Sequence, residues 1–168
     1  MRISIEEYQP SFEEQWDSFV WQSNNGTIFH TRKFLSYHPP DRFEDNSLVF
    51  MKNKRIIALF PATIRYEGHR KILTSHRGSS YGGFVTKFNL NIRDAFRIVE
   101  GLLDYALNAG FKGVELTPPP QIYFLRPSNY IDFALIKNGF GYKKREVSSI
   151  IPLTFSEDDV LSTFSSES

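Results

Sequence analysis

The stretch Asn91–Pro120, NIRDAFRIVEGLLDYALNAGFKGVELTPPP, decides the fold class of this chain. Asn91 is a typical helix N-cap residue, and Gly110 is a typical left-handed stop. Between them, apolar residues recur at helical spacing, which predicts one long amphipathic helix. The predicted buried face consists of Ile92, Phe96, Val99, Leu103 and Ala106.

A strand and a second helix are predicted after this long helix. The strand, Lys112–Thr117, ends at Pro118–Pro120, because three prolines cannot continue a central strand. The second helix, Ile131–Asn138, is closed by Gly139 and by Phe140, which folds back on its last turn. We predict a further strand over Lys143–Leu153.

Upstream of residue 91, the pattern predicts an antiparallel meander. Its strands are Ser47–Met51, Arg55–Arg65, Lys71–Thr74 and Phe84–Val85. Near the N-terminus, a short strand at Ile3–Ile5 precedes a helix that a capping box of Ser11 and Glu14 would begin, and a short helix covers Thr31–Tyr37. The central strands are too close in sequence for crossover helices. The predicted fold class is therefore α/β (α+β), a mixed, mostly antiparallel sheet flanked by helices.

Composition excludes several classes of protein. The 168 residues fit one domain, and the absence of cysteine excludes disulfide scaffolds, thiolate metal sites and a thiol nucleophile. Four histidines without a His-x-x-x-His pattern argue against a metal site. A net charge of +1 argues against nucleic acid as a partner. With no apolar window of membrane length and no signal peptide, we expect a cytoplasmic protein without a membrane span.

Five segments carry a resemblance to a known family. Trp16–Val20 followed by Gly26–Leu35 resembles the opening of the FemAB-like peptidoglycan-bridge aminoacyltransferases and their acyl-CoA-using relatives. Leu48–Phe50, Ile57–Ala62 and the Tyr-Gly-Gly turn within Ser79–Phe84 are similar to later segments of that family. The order of elements also resembles the GNAT acyltransferase fold.

The resemblance implies a single GNAT-like domain at 1–154 and, at 155–168, the start of a linker helix leading to a second GNAT-like domain. It implies an acyl or aminoacyl transferase with acyl-CoA or aminoacyl-tRNA as co-substrate, and a small molecule or a peptidoglycan precursor as acceptor. The pyrophosphate-binding Gln/Arg-x-x-Gly-x-Gly/Ala pattern of single-domain GNAT enzymes is absent from the sequence. We therefore expect the acceptor half, inactive in isolation. Two alternatives are a catalytically silent GNAT-like binding module and a small standalone CoA-dependent N-acetyltransferase.

Several polar and glycine residues are candidate substrate-binding residues. Tyr81 offers a hydroxyl to a substrate or packs in the core with a solvated tip. Arg77, beside His76, offers a fork for a carboxylate or phosphate, or is a solvated loop residue. The glycine pair lets the backbone approach a ligand, or forms a turn between strand and helix. The full set is His30, Arg77, Ser79, Tyr81, Gly82, Gly83 and Tyr123.

Two of these candidates have further alternatives. His30 lies in the segment that carries the resemblance, and it fits either a general base or a histidine that fixes a loop by hydrogen bonding. No acidic residue within a few positions orients it, which favours the second role. Tyr123 follows Pro118–Pro120, where a broken strand in a GNAT-like sheet splays and opens a cleft. It either lines that cleft or packs in a rigid surface loop. The sequence assigns no catalytic residue.

Overall fold

The computed structural model describes residues 3–147, which form two four-stranded sheets and four α-helices. The helices are α1 Glu13–Gln22, α2 Arg32–Leu35, α3 Ile92–Asn108 and α4 Tyr130–Lys137. The strands are β1 Ser4–Glu7, β2 Glu44–Asp45, β3 Leu48–Lys52, β4 Arg55–Phe60, β5 Ala62–Glu67, β6 Arg70–Ser75, β7 Val85–Thr86 and β8 Gly113–Glu115. The predicted α+β class, mostly antiparallel with flanking helices, is confirmed.

The two sheets differ in the direction of their strands. The first has the order β1-β3-β4-β7 and is antiparallel throughout. The second has the order β2-β5-β6-β8, and its β6–β8 pair is parallel. The parallel pair follows from α3, because the chain must cross over between two parallel strands.

Helices cover both faces of the first sheet. Leu48 and Phe50 of β3 pack in the larger core with Ile98 of α3. The alternate residue, Val49, packs in a smaller core with Trp16 of α1. Because successive side chains of a strand point to opposite faces, α1 and α3 lie on opposite sides of this sheet.

The chain passes from the first sheet to the second at Pro61, and this break leaves residues 76–84 as a loop. The predicted strand Arg55–Arg65 is wrong as a single strand, since β4 ends at Phe60 and β5 begins at Ala62 in the other sheet. Proline has no N–H to continue a ladder. In the second sheet, β5 pairs with β6, which ends at Ser75. The next strand along the chain, β7, pairs with β4 in the first sheet. Residues 76–84 therefore leave the sheet at this point.

The long helix has the predicted caps but a different buried face. Asn91 Oδ1 accepts a hydrogen bond from Asp94 N at 2.9 Å, and Gly110 has φ +77°. Ile92 is 40% exposed, and Phe96 and Leu103 are only partly buried. The helix carries apolar residues over more than one stripe, so neighbouring elements decide which stripe is buried. The buried apolar residues are Ala95, Ile98, Val99, Leu102 and Ala106.

Three further predictions need correction or lie outside the described residues. The capping box of Ser11 and Glu14 is absent, because Pro10–Phe12 forms a 3₁₀ turn and α1 begins after it without a side-chain cap. The strand predicted over Lys112–Thr117 is shorter, with β8 ending at Glu115. Residues 143–147 have no regular structure, and the rest of the predicted strand and the linker helix at 155–168 lie outside the described range.

Candidate functional site

A cleft of about 300 Å³ opens at the ends of β6 and β8. The two strands pair from Ile72 opposite Gly113 to Thr74 opposite Glu115. Beyond Glu115 the ladder stops and the chain turns toward the three prolines. The cleft walls include Arg65 from β5, His76, Arg77 and Tyr81 from the loop at 76–84, and Glu115 and Thr117 from β8 and the chain after it.

Residues Ser79–Gly83, which we term the strap, bridge the separated strand ends. Gly82 N donates to Thr117 O at 2.7 Å. Ser75 Oγ accepts from Gly83 N and from Thr117 N, both at 3.0 Å. The strap therefore lies between the end of β6 and the chain after β8, as an intervening strand would. It also separates the cleft from a smaller, more apolar cavity lined by Gly83, Phe84 and Pro118.

Both strap glycines are in close contact with neighbouring residues. Gly83 has φ +78°, and a Cβ there would lie 3.1 Å from Pro118 Cα. A Cβ at Gly82 would lie 3.1 Å from Ser75 Cβ. Contacts within the chain thus explain glycine at both positions, and the left-handed backbone at Gly83 adds a second reason.

His30 holds the strap from the side away from the cleft. Its side chain is fully buried, and it is not among the residues that line the cleft. Nδ1 accepts from Thr27 N at 3.1 Å, so Nε2 carries the proton and donates to Gly82 O at 3.3 Å. Burial lowers the pKa of His30 to about 4, against the opposing effect of its two backbone hydrogen bonds. The imidazole is therefore neutral at pH 7.

Aromatic rings fix the position of Tyr81. Its ring makes an edge contact with Phe29 at 4.9 Å and stacks on Tyr123 at 5.5 Å, between ring centroids. Burial raises the pKa of Tyr81, so its hydroxyl stays protonated. Tyr123 itself does not line the cleft but covers Tyr81, which does. The structure thus brings together the two tyrosines that the sequence placed far apart.

The remaining predicted residues lie on the loop at 76–84. Ser79 Oγ lies 2.8 Å from Tyr81 O and 3.3 Å from Phe29 O, two acceptors for its one proton. Arg77 is exposed. His76 is buried, and this burial lowers its pKa to about 4. The cleft therefore presents a neutral imidazole beside a charged guanidinium.

Sequence reasoning missed the residues that the strands contribute to the cleft. Arg65 forms ion pairs with Glu67 and, at 3.0 Å from Nη2 to Oε2, with Glu115. Lys143 Nζ lies 2.8 Å from Glu115 Oε1, and this hydrogen bond lowers the pKa of Glu115. No sequence signal marks this group, because its members come from strands that only the β6–β8 pairing brings together.

The first turn of α3 contains a buried carboxylate that pairs with lysines of the same chain. Asp94, with a side chain that is 1% exposed, pairs with Lys52 Nζ at 2.6 Å and Lys87 Nζ at 3.7 Å. Burial raises the pKa of Asp94, but the lysines outweigh it and the net shift is downward. The turn before the helix, 87–91, contains no glycine. A buried carboxylate held by two lysines thus lies in the first turn of α3, with no glycine-rich phosphate loop before it.

Residues 3–147 contain neither a membrane-length helix nor a cluster of metal ligands. No helix in this range is long and apolar enough to cross a membrane. In the same part of the chain, no three side chains from histidine, aspartate and glutamate come together as ligands for a metal ion.

Three solved structures with a similar fold are acetyltransferases. A ribosomal-protein-alanine N-acetyltransferase from Brucella melitensis superposes with a TM-score of 0.55 at 11% identity, covering 90% of this chain and 99% of that one. A GNAT family acetyltransferase from Staphylococcus aureus gives 0.51 at 13% identity, covering 90% and 100%. An aminoglycoside N-acetyltransferase in complex with CoA gives 0.51 at 13%, covering 89% and 99%.

At these identities the likeness concerns the fold alone. The chain therefore has the GNAT fold that its element order resembles. No protein-family model and no curated protein matches it.

Proposed function

We propose that this chain is the acceptor-binding GNAT-like domain of a FemAB-like acyl or aminoacyl transferase. One observation carries the proposal: an open polar cleft lies beside the strap, while the turn before α3, residues 87–91, contains no glycine that would let its backbone cradle a phosphate. An anionic donor therefore finds no glycine-rich phosphate loop at that helix end, whereas an acceptor finds an accessible cleft with hydrogen-bonding side chains.

The residues that carry the family resemblance build the support of this cleft. Trp16 Nε1 donates to His30 O at 2.8 Å, and Asp17 Oδ1 accepts from Arg32 N at 2.6 Å. These bonds fix the loop that positions His30 under Gly82. The similarity to FemAB-like openings therefore falls on residues that shape the proposed site.

The proposed chemistry is attack by an amine or hydroxyl of the acceptor on an activated carbonyl. In this proposal, a second GNAT-like domain holds the co-substrate, acyl-CoA or aminoacyl-tRNA. The cleft positions the acceptor and forms no covalent intermediate with it. The acceptor is a small molecule or a peptidoglycan precursor. This part of the proposal rests on the resemblance.

Binding of a peptidoglycan precursor tests the proposal. We would titrate the ¹⁵N-labelled chain with a UDP-linked muramoyl pentapeptide and follow the amide signals. Saturable shifts at Ser79–Gly83 are expected. Tyr81→Leu should weaken binding about tenfold, a loss of about 1.4 kcal/mol. The matched control Tyr37→Leu alters an exposed ring outside the cleft and should bind normally. Shifts that do not saturate, or that avoid the strap, would refute an acceptor role for this precursor class.

A standalone CoA-dependent N-acetyltransferase is the second candidate. The observation that favours it is that this chain covers 99% of the CoA-bound aminoglycoside N-acetyltransferase. Saturable binding of acetyl-CoA to this chain distinguishes this candidate from the first.

A further inference from the structure

Arg77 brings an unpaired guanidinium to the cleft. Its side chain is exposed and, within residues 3–147, makes no hydrogen bond or ion pair. Arg65 contributes a second guanidinium from β5. Its Nη2 is buried and forms an ion pair with Glu115 Oε2 at 3.0 Å. The cleft therefore contains one unpaired guanidinium, that of Arg77, and a second that is paired with Glu67 and Glu115.

The charge around the cleft suits a single negative charge. Three cationic side chains, Arg65, Arg77 and Lys143, face two carboxylates, Glu67 and Glu115. His76 adds no charge at pH 7, since burial keeps its imidazole neutral. One positive charge remains. A monoanion neutralises it, whereas a phosphate dianion would leave an excess negative charge next to Glu115.

The other lining groups are neutral and polar. Thr117 is exposed at the cleft edge, Ser79 presents a hydroxyl, and the His76 ring lies on the same wall. Such groups hydrogen-bond a small polar ligand without changing the charge balance. The planar guanidinium of arginine matches the two oxygens of a carboxylate in a bidentate pair.

We propose that this cleft binds the carboxylate of an amino acid or peptide, with Arg77 as the principal partner and Arg65 as a second cationic group in the lining. The inference rests on the proposed acceptor role and specifies it: the acceptor is a free acid, held by its carboxylate while its amine or hydroxyl remains available. A neutral or amidated acceptor lacks this contact.

Three small probes test this inference. The ¹⁵N-labelled chain would be titrated with N-acetyl-alanyl-alanine, with its C-terminal amide, and with inorganic phosphate at pH 7. The acid is expected to shift amides of residues 76–82 saturably, with the amide and phosphate each binding at least tenfold more weakly. Arg77→Gln should weaken the acid about tenfold and leave the amide unchanged.

Controls keep each outcome decisive. Arg93→Gln removes an exposed arginine from α3, outside the cleft, and should bind the acid normally. Thermal melting checks the fold of each variant, and Thr117→Val provides a second, uncharged change in the cleft, which should also weaken binding of the acid.

Equal binding of acid and amide, tighter binding of phosphate, or full affinity in Arg77→Gln would overturn the inference. If the acid binds and the muramoyl precursor does not, the peptidoglycan precursor is rejected as the acceptor and the carboxylate site stands. The reverse result rejects this inference alone.

Discussion

His30 connects three separate parts of the chain through one residue. Its carbonyl accepts from Trp16 of α1, its Nδ1 accepts from the Thr27 amide, and its Nε2 donates to Gly82 of the strap. Each polar atom of a fully buried side chain is thus satisfied. At the residue scale, His30 acts as a positioning residue for the strap and, through the strap, for Tyr81.

The buried histidines predict a pH dependence of stability. An unfolded histidine titrates near 6.5, whereas burial lowers the pKa of His30 and of His76 to about 4. Between these values the unfolded chain binds protons that the folded chain does not. The free energy of unfolding therefore falls as the pH drops from 6.5 to 4, by about 3 kcal/mol per histidine at pH 4. Asp132, whose pKa burial raises, opposes part of this loss.

Urea unfolding at pH 7, 5.5 and 4 checks this prediction. His30→Gln keeps hydrogen-bonding capacity but cannot titrate, so its pH slope should be shallower than that of the wild type. His69→Gln, on the exposed turn between β5 and β6, is the matched control and should retain the wild-type slope. An unchanged slope in His30→Gln would show that the pKa of His30 does not differ between the folded and the unfolded protein.

We expect two glycine-to-alanine substitutions to lower the free energy of unfolding by different amounts. The Cβ of Gly68→Ala at φ +58° meets no atom within 4 Å, so the substitution costs only the strain of the left-handed backbone, about 1 kcal/mol of unfolding free energy. Gly83→Ala at φ +78° also brings Cβ to 3.1 Å from Pro118 Cα, and backbone must move. We expect a cost of about 3 kcal/mol. Equal unfolding free energies for the two variants would contradict the contact between strap and prolines.

At the element scale, Asp94 ties α3 to the first sheet. Its carboxylate pairs with Lys52 of β3 and Lys87. Asp94→Asn leaves both lysines without their anion and should destabilise the protein by about 3 kcal/mol. Asp104→Asn, exposed on the same helix, should change stability by less than about 0.5 kcal/mol. Chemical denaturation of both variants measures the difference, and a similar small effect for Asp94→Asn would mean that the pair does not hold the helix.

The sequence predicts local features well and non-local ones poorly. The caps at Asn91 and Gly110 were predictable because cap chemistry involves only neighbouring residues. The predicted buried face of α3 was right at Val99 and Ala106 but wrong at Ile92, Phe96 and Leu103, because it depends on which elements pack against the helix. The break at Pro61 was missed for a related reason: its consequence, a change of sheet, appears only when β6 and β7 take their places.

The residues of the candidate site show the same difference between local and non-local features. His30, Ser79, Tyr81 and the glycine pair come from two short segments that the sequence marks by their composition. Arg65 and Glu115 lie on strands far apart in the sequence and meet through the parallel β6–β8 pairing. No local pattern contains that information, since the crossover that creates the pairing is itself non-local.

At the scale of the whole molecule, the proposed acceptor role rests on the strap and on the open cleft beside it. The strap closes the gap between the ends of β6 and β8. The cleft on the other side of the strap stays open. This arrangement favours an acceptor over an acyl-CoA donor.

A calorimetric titration of the 168-residue chain with acetyl-CoA, and then with a longer acyl-CoA, tests this acceptor role most directly. We expect no saturable heat from either ligand, because no glycine-rich phosphate loop precedes α3 and the strap closes the gap between the ends of β6 and β8. Tight, saturable binding of one molecule per chain would place the donor site in this domain, and it would favour the standalone acetyltransferase over an acceptor domain.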